Sequence, residues 1–226
     1  MNVLKIVVFI LATISLLLNM LYLGKPQPIQ EAFVLSNIAG ALAFLIAYRE
    51  TKDWFWLVSA LSFGLMIFSD LYFYPNWKLV WPHESGGMNI WAGISQATLA
   101  IGLFFYFNKL KYRWLLPIIF VPMFFTNFGF GGIGELTRGS AIAQITGAFW
   151  SITLCSLLMY YGQVQKSIGY TLGAGLRLLS LLIAVWYFFA VAHDIRPLTL
   201  AWTDKTHSIS RDIMAIGALI VVRKKK

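Results

Sequence analysis

The sequence predicts an all-α fold, a polytopic membrane helix bundle of about eight spans, and three observations support this prediction. Hydrophobic residues make up 59% of the 226 residues and charged residues only 12%, with a mean hydropathy of +0.72. A soluble domain needs a more polar shell than this composition can supply. Apolar segments of about 20 residues recur, which is the length that a helix needs to cross a hydrocarbon layer about 30 Å thick. These segments are continuous, whereas the strands of membrane barrels alternate in polarity over about ten residues.

Eight spans are expected in chain order, at residues 3–23, 29–48, 54–74, 88–107, 112–130, 139–162, 170–192 and 207–222. The joints between them are short, so the chain 1–226 is expected to form a single transmembrane domain. The segment 1–25 has no small-residue cleavage site before "GKPQP", and we expect it to be retained as an anchor helix ahead of a seven-helix core at 29–222. The last span is the shortest and requires a thin bilayer or a snorkelling terminus.

The distribution of basic residues predicts the orientation of the chain. With the N-terminus inside, the inner side holds eleven Lys and Arg residues and the outer side six, and Arg177 falls within a span, where we expect it to snorkel toward the inner side. The protein is therefore expected to be integral to the cell (inner) membrane, with cytoplasmic N- and C-termini. We attribute the net charge of +9 to this orientation of the chain in the bilayer. Membrane lipids are therefore the expected partners, and nucleic acid is not. The oligomeric state stays open.

Several residue types favour structural roles. The tryptophans and tyrosines near the span ends, Trp54, Trp56, Tyr160 and Tyr161 among them, predict an interfacial aromatic belt. Cys155 is the single cysteine and is expected to fill a buried position. Gln96 is expected to hydrogen-bond a neighbouring helix.

The acidic residues and histidines are distributed asymmetrically. Only Glu50 and Asp53 fall on the inner side, whereas the other seven acidic residues and all three histidines fall on the outer side. Solvated joints are one interpretation of this pattern. Several positions favour a functional cluster instead, because ionisable groups at membrane depth are usually paired and often functional. These positions are Glu31 at the start of the second span, Asp70 near the end of the third, His193 and Asp194 at the end of the seventh, and His207, Arg211 and Asp212 at the start of the eighth.

Carboxylate and imidazole groups at one depth are the ligands that a zinc site uses, with one position left open for water. The candidate ligands are Asp70, Glu84, His193 and His207. The expected pocket around them contains Glu31, Asn37, Gln144, Asp194 and Asp212. Zinc is therefore a candidate cofactor, and its identity is left open.

Four stretches of the chain occur in an informative order. In "IQEAFVLSNIAGALAFLI" an acid precedes a Ser-Asn pair, and the chain then contains "FSDLYFYP", "PHESGGMNIWAGIS" and "HSISRDIMAIGALIVV". Together they resemble the alkaline ceramidase family and its wider superfamily of seven-span membrane hydrolases and receptors. The first stretch resembles the family's first-span signature, and the last resembles its last span with the His-x-x-x-His pattern. Between them, "FSDLYFYP" falls where the family has Ser-x-x-x-His, and "PHESGGMNIWAGIS" resembles the opening of its third span. The resemblance implies a zinc-dependent hydrolase of lipid amides with a seven-helix core after the anchor helix.

This chain departs from the family at two of the three zinc-binding histidines. His207 matches the first histidine of the last span, but Arg211 replaces the second, and Phe73 stands where a histidine should follow Ser69. Arginine stays protonated and cannot bind zinc. Either a metal site is rebuilt from other residues, or a metal-free polar pocket has replaced it, or the fold is unrelated.

Three functions follow from these alternatives. In a lipid amide or ester hydrolase, a divalent ion on Asp70 and His207, with His193 or Glu84, would activate water, and Ser69 or Arg211 would stabilise the oxyanion. In a non-enzymatic binding protein or transporter, Arg211 and Arg196 would bind the anionic or zwitterionic head group of a lipid or small amphipathic ligand, and protonation of His193 or His207 would act as a switch. In a subunit of a larger complex, the same cluster would form polar interface contacts. Transport ranks lower, because the inner halves of the spans are predicted to be apolar apart from Arg177.

Overall fold

The computed structural model describes residues 3–21, 23, 30–80, 88–107, 141–193 and 204–220. Within these ranges, side chains are described except at 30, 31, 69–80, 88–93, 141–144, 146, 147, 204 and 205. Seven α-helices and no strand occur in this part of the chain. They are α1 (Val3–Leu21), α2 (Gln30–Thr51), α3 (Trp54–Val80), α4 (Met88–Tyr106), α5 (Ala141–Val164), α6 (Ile168–Tyr187) and α7 (Asp204–Leu219). A π-helical turn, Phe188–Ala192, extends α6.

The all-helical class is therefore confirmed for the described residues, and seven of the eight expected spans coincide with these helices. The span expected at 112–130 lies outside them, so the count of eight stays a prediction. Three helices are long and apolar enough to cross a membrane, at Val3–Leu21, Ala32–Thr51 and Ile168–Ala192. Two shorter apolar helical segments are Trp54–Phe68, within α3, and Ile94–Tyr106, within α4. These properties are compatible with an integral membrane protein.

The helices pack as a ring around an aromatic core. Along the ring, α3 lies between α4 and α2, α7 lies between α2 and α6, and α5 contacts both α6 and α4. The helix α1 lies outside the ring, against α2 and α7. The neighbouring helices α4 and α5 are joined by a hydrogen bond from Trp150 Nε1 of α5 to Gln96 Oε1 of α4 at 2.8 Å. The expectation that Gln96 bonds a neighbouring helix is thus confirmed.

One end of the bundle, which we call the turn end, carries two tight connections. The α2–α3 turn contains Lys52 and Asp53, and the α5–α6 turn contains Gln165 and Lys166. The start of α1 lies at the same end, because Lys5 Nζ forms a salt bridge with Glu50 Oε2 at 2.9 Å. All of these residues belong to joints that the sequence analysis assigns to the inner side.

The helices α6 and α7 run antiparallel in close contact through glycines. A Cβ added at Gly169 would lie 2.6 Å from the Cα of Gly217, and one added at Gly173 would lie 2.6 Å from the carbonyl oxygen of Ser210. Small residues four apart allow helix backbones to approach in this way inside membranes. The approach fixes the register of α7 against α6, and with it the depth of the polar residues on α7.

A buried polar seam attaches α1 to the bundle. Asn19 Nδ2 on α1 donates to Asp212 Oδ2 on α7 at 3.0 Å, and Ser15 Oγ donates to the carbonyl oxygen of Ala32 on α2 at 3.2 Å. Asp212 is fully buried. A buried carboxylate that loses its hydrogen-bond donor is costly, so α1 is held as an integral element of the bundle.

Candidate functional site

The last helix, α7, presents polar residues on two adjacent faces. Residues four apart lie on one helix face, so His207 pairs with Arg211, and Ser208 pairs with Asp212. The Ser208 and Asp212 face points toward α1 and α2, because Asp212 accepts from Asn19 and the carbonyl oxygen of Ser208 accepts from Ser36 Oγ at 3.4 Å. The His207 and Arg211 face points into the ring of helices.

Arg211 is held inside the ring by contacts with two neighbouring helices. Its Nη1 donates to Asn37 Oδ1 on α2 at 2.9 Å, and its guanidinium carbon lies 5.7 Å from the centre of the Phe63 ring on α3. Asn37 is fully buried. A guanidinium over an aromatic face gains about 0.5 to 2 kcal/mol from the ring quadrupole. These contacts orient the charge of Arg211 toward the centre of the bundle.

A second arginine and a histidine adjoin Arg211. The positive charges of both Arg177, on α6, and Arg211 reach His207. Arg177 also interacts electrostatically with the Cys155 thiol on α5. The expectation that Arg177 snorkels toward the inner side stays a prediction. We call Arg177, His207 and Arg211 the cation cluster.

The cation cluster lies at about the middle of the bundle. At 1.5 Å per residue, Arg177 is roughly 13 Å from the first residue of α6, and Arg211 is roughly 12 Å from the last residue of α7. The helix α7 begins at Asp204, three residues before the predicted start of the last span. Arg211 is consequently deeper in the bundle than an outer-end pocket would place it.

The other predicted site residues have different positions. His193 ends the π-helical turn with an exposed side chain, and its ring lies 6.3 Å from that of Phe188. Among the described residues, no group of three or more His, Cys, Asp or Glu could hold a metal ion. Glu31, Ser69, Asp70, Gln144, Glu84 and Asp194 lie outside the described side chains, so their parts in the predicted metal site and pocket stay predictions.

Several buried polar side chains of α3, α5 and α6 lie within the aromatic core. Trp56 Nε1, Ser59 Oγ, Tyr161 OH and Tyr170 OH are buried and have no hydrogen-bond partner among the described residues. The ring centre of Trp56 is 5.2 Å from that of Tyr161 and 5.1 Å from that of Tyr170. Tyr170 interacts with both Ser59 and Cys155, and Cys155 interacts with Arg177 as described above. We call Tyr161, Trp56, Tyr170, Ser59 and Cys155 the interior column.

A hydrogen-bonded network closes the turn end of the interior column. Asp53 Oδ1 accepts from the backbone N–H of Phe55 at 3.0 Å, which caps the start of α3. Asp53 Oδ2 accepts from Tyr106 OH at 3.1 Å and from Gln165 Nε2 at 2.6 Å. The charge of Asp53 also reaches Tyr161. We call Asp53, Tyr106 and Gln165 the turn network.

These positions modify one sequence interpretation. Trp56 and Tyr161 are fully buried inside the ring, so the prediction that they belong to an interfacial belt was wrong. The lower rank of transport stays a prediction. Cys155 is buried, as expected. A helical-face analysis of α6 could have found the column's continuation, because Tyr170 and Arg177 are seven residues apart and share a face.

Comparison with protein-family models, with curated proteins and with solved structures found no match to this chain.

Proposed function

We propose that this integral membrane protein binds an anionic oxygen group, a phosphate or a carboxylate, at the cation cluster. The observation that carries the proposal is that the Arg211 guanidinium is held inside the ring, by Asn37 at 2.9 Å and over the Phe63 ring at 5.7 Å. Arg177, on the neighbouring helix α6, acts electrostatically on the same histidine, His207, as Arg211 does. Arginine matches the geometry of phosphate and carboxylate oxygens, with which it forms paired hydrogen bonds.

The surroundings of the cluster are suited to an amphipathic ligand. The apolar ring of Phe63 lies against the Arg211 guanidinium, which suits a ligand whose apolar part adjoins its charge. The ligand source is either a membrane lipid, through its anionic head group, or a free anion. Membrane lipids are the partners that we propose for the protein in either case.

The test measures stabilisation of the purified protein by anions. We expect dihexanoyl phosphatidic acid or inorganic phosphate to raise the unfolding midpoint in detergent, and dihexanoyl phosphatidylcholine to leave it unchanged. A ligand at a hundred times its Kd stabilises the folded state by about 2.7 kcal/mol. Arg211→Gln and Arg177→Gln should each weaken the effect about 10- to 100-fold in concentration, because each removes a charged hydrogen-bond donor.

The matched control is Arg49→Gln, which removes an exposed arginine near the end of α2. It should keep the full anion effect. A response to phosphatidic acid alone identifies a lipid head group, and a response to phosphate as well identifies a free anion. Equal shifts in wild type and both cluster variants, or no shift with any anion, would overturn the proposal.

A second proposal, zinc-dependent hydrolysis of a lipid amide or ester, rests on the resemblance to the alkaline ceramidase family and on one atom. His207 Nδ1 is buried and has no hydrogen-bond partner among the described residues, so it is free to bind a metal ion. Asp70, Glu84 and His193 would complete the ligands, and Ser69 or Arg211 would stabilise the oxyanion. About one zinc per chain, lost in a folded His207→Ala variant, would support this mechanism, and a metal-free wild type would exclude it.

We further propose a cell (inner) membrane location with cytoplasmic N- and C-termini. The support is the excess of basic residues in the inner joints, of which Lys5, Arg49, Lys52 and Lys166 belong to the turn end. A reporter that is active only in the cytoplasm, fused after Lys226, should be active. Activity of a periplasm-dependent reporter at the same position would contradict this orientation.

A further inference from the structure

A group of buried polar side chains lies where α1, α2 and α7 meet. Its members, each at most 4% exposed, are Ser15, Asn19, Ser36, Ser208 and Asp212. Asn19 Nδ2 donates to Asp212 Oδ2 at 3.0 Å and lies 3.4 Å from Ser15 Oγ. Ser36 Oγ donates to the carbonyl oxygen of Ser208 at 3.4 Å. These contacts connect all three helices, and we call the five residues the junction.

The junction contains a carboxylate whose charge no described basic group balances. Asp212 is fully buried, and no Lys, Arg or His nitrogen of the described residues lies within ion-pair distance of it. Its hydrogen-bond donor Asn19 is neutral. Arg211 acts on Asp212 only from beyond ion-pair distance, because its guanidinium is directed to Asn37. Buried charges in proteins are normally paired with an opposite charge or bound to a metal ion, so a cation bound here would balance the carboxylate.

A hydroxyl without a partner adjoins this carboxylate. Ser208 Oγ is buried and has no hydrogen-bond partner among the described residues. Ser208 and Asp212 are four residues apart on α7, and helical side chains lean toward the N-terminus of their helix, so the Asp212 carboxylate lies over Ser208. The hydroxyls of Ser15 and Ser36 act on the same carboxylate. An unsatisfied buried hydroxyl in a native structure is commonly explained by an ion or a water molecule beside it.

The chemistry of these groups favours a hard, monovalent cation. Carboxylate and hydroxyl oxygens are ligands of hard cations. The junction supplies one negative charge, so a divalent ion would leave excess charge at membrane depth, which is costly. Membrane proteins also bind sodium between helices through oxygen ligands.

We propose that the junction binds a sodium ion through the Asp212 carboxylate and the Ser208 hydroxyl, with the hydroxyls of Ser15 and Ser36 as further ligands. The ion would join α1 to the ring of helices. This site is separate from the proposed anion site, because Asp212 faces α1 and α2, whereas Arg211 faces the inside of the ring.

The test follows the unfolding midpoint of the purified wild-type protein in detergent while sodium chloride replaces choline chloride at constant chloride concentration. We expect sodium to raise the midpoint in a saturable way, because an ion that binds only the folded state stabilises it. Radioactive sodium bound to the same preparation should be displaced by unlabelled sodium and not by choline.

Two substitutions locate the ion. Asp212→Asn removes the charge while keeping the size of the side chain, and it should abolish the sodium-dependent shift. Ser208→Ala removes a hydroxyl that no described residue bonds, so the midpoint in choline should equal that of wild type. The sodium concentration that gives half of the shift should rise about tenfold or more in this variant, because a ligand of the ion is lost. Ser208→Ala keeps the test decisive if Asp212→Asn fails to fold.

The matched control is Ser180→Ala, which removes another buried hydroxyl without a partner among the described residues, on α6 and therefore outside the junction. It should keep the wild-type sodium response. Equal midpoints in sodium and choline would overturn the site and leave Asp212 protonated or held by neutral donors alone. A sodium response of wild-type strength in Ser208→Ala would also overturn it, because the ion would then bind elsewhere.

Discussion

The turn network and the interior column are neighbouring polar regions that differ in how many of their polar atoms are hydrogen-bonded. In the turn network, both Asp53 oxygens accept from donors, and Gln165 Nε2 also donates to Tyr106 OH at 2.9 Å. In the interior column, the polar atoms of Trp56 and Tyr170 have no partner among the described residues. Both regions are surrounded by the same aromatic core.

The difference predicts unequal contributions to stability. A network whose members satisfy one another stabilises the fold. Each unsatisfied buried polar atom costs about 1 to 3 kcal/mol. The turn network is therefore expected to contribute more to the stability of the fold than the polar atoms of the interior column do.

The largest effect on stability is expected from a substitution that forces α6 and α7 apart. Gly217→Ala would place a Cβ 2.7 Å from the Cα of Gly169 and against the backbone nitrogen of Tyr170. Backbone atoms cannot move aside as side chains can, so we expect a loss of about 3 kcal/mol in the free energy of unfolding. Circular dichroism during thermal or detergent denaturation measures the loss.

Gly64→Ala is the matched control for this substitution, because a Cβ there meets nothing within 4 Å. It should leave the stability unchanged or raise it by up to about 1 kcal/mol, since alanine favours helix more than glycine does. Equal effects at the two glycines would contradict the close approach of α6 and α7.

An intermediate effect is expected from opening the turn network. Asp53→Ala removes the cap of α3 and leaves the Gln165 amide and the Tyr106 hydroxyl without their acceptor, so the free energy of unfolding should fall by about 2 kcal/mol. The same denaturation experiment measures it. Asp53→Asn keeps an oxygen for the cap and should recover part of the loss. A stability equal to wild type in Asp53→Ala would show that the network is not structural.

The smallest effect on stability is expected in the interior column. Tyr170→Phe removes a hydroxyl that has no partner among the described residues, so the free energy of unfolding should change by less than about 1 kcal/mol. Ser59→Ala should behave in the same way. A loss as large as that of Asp53→Ala, in the same denaturation assay, would mean that the hydroxyl is bonded and that the two regions do not differ.

The sequence predicted features that depend on local composition. Apolar length placed seven helices close to their observed bounds, because a helix forms wherever a long apolar segment satisfies its backbone internally. The same reasoning placed His207, Arg211 and Asp212 on the last helix, as observed. It placed Trp56 and Tyr161 in an interfacial belt, however, because distance from a span end does not reveal whether a ring faces lipid or protein.

By itself, the sequence determined the helical class, the apolar character and the residues that carry charge at depth. Only the tertiary structure decided that Asp212 points to Asn19 while its neighbour Arg211 points to Asn37. Successive helix residues differ by about 100° around the axis, so the position of each neighbouring helix decides which partner each charge meets. The glycines of α6 and α7 set those positions, and their effect appears only when the two helices are packed together.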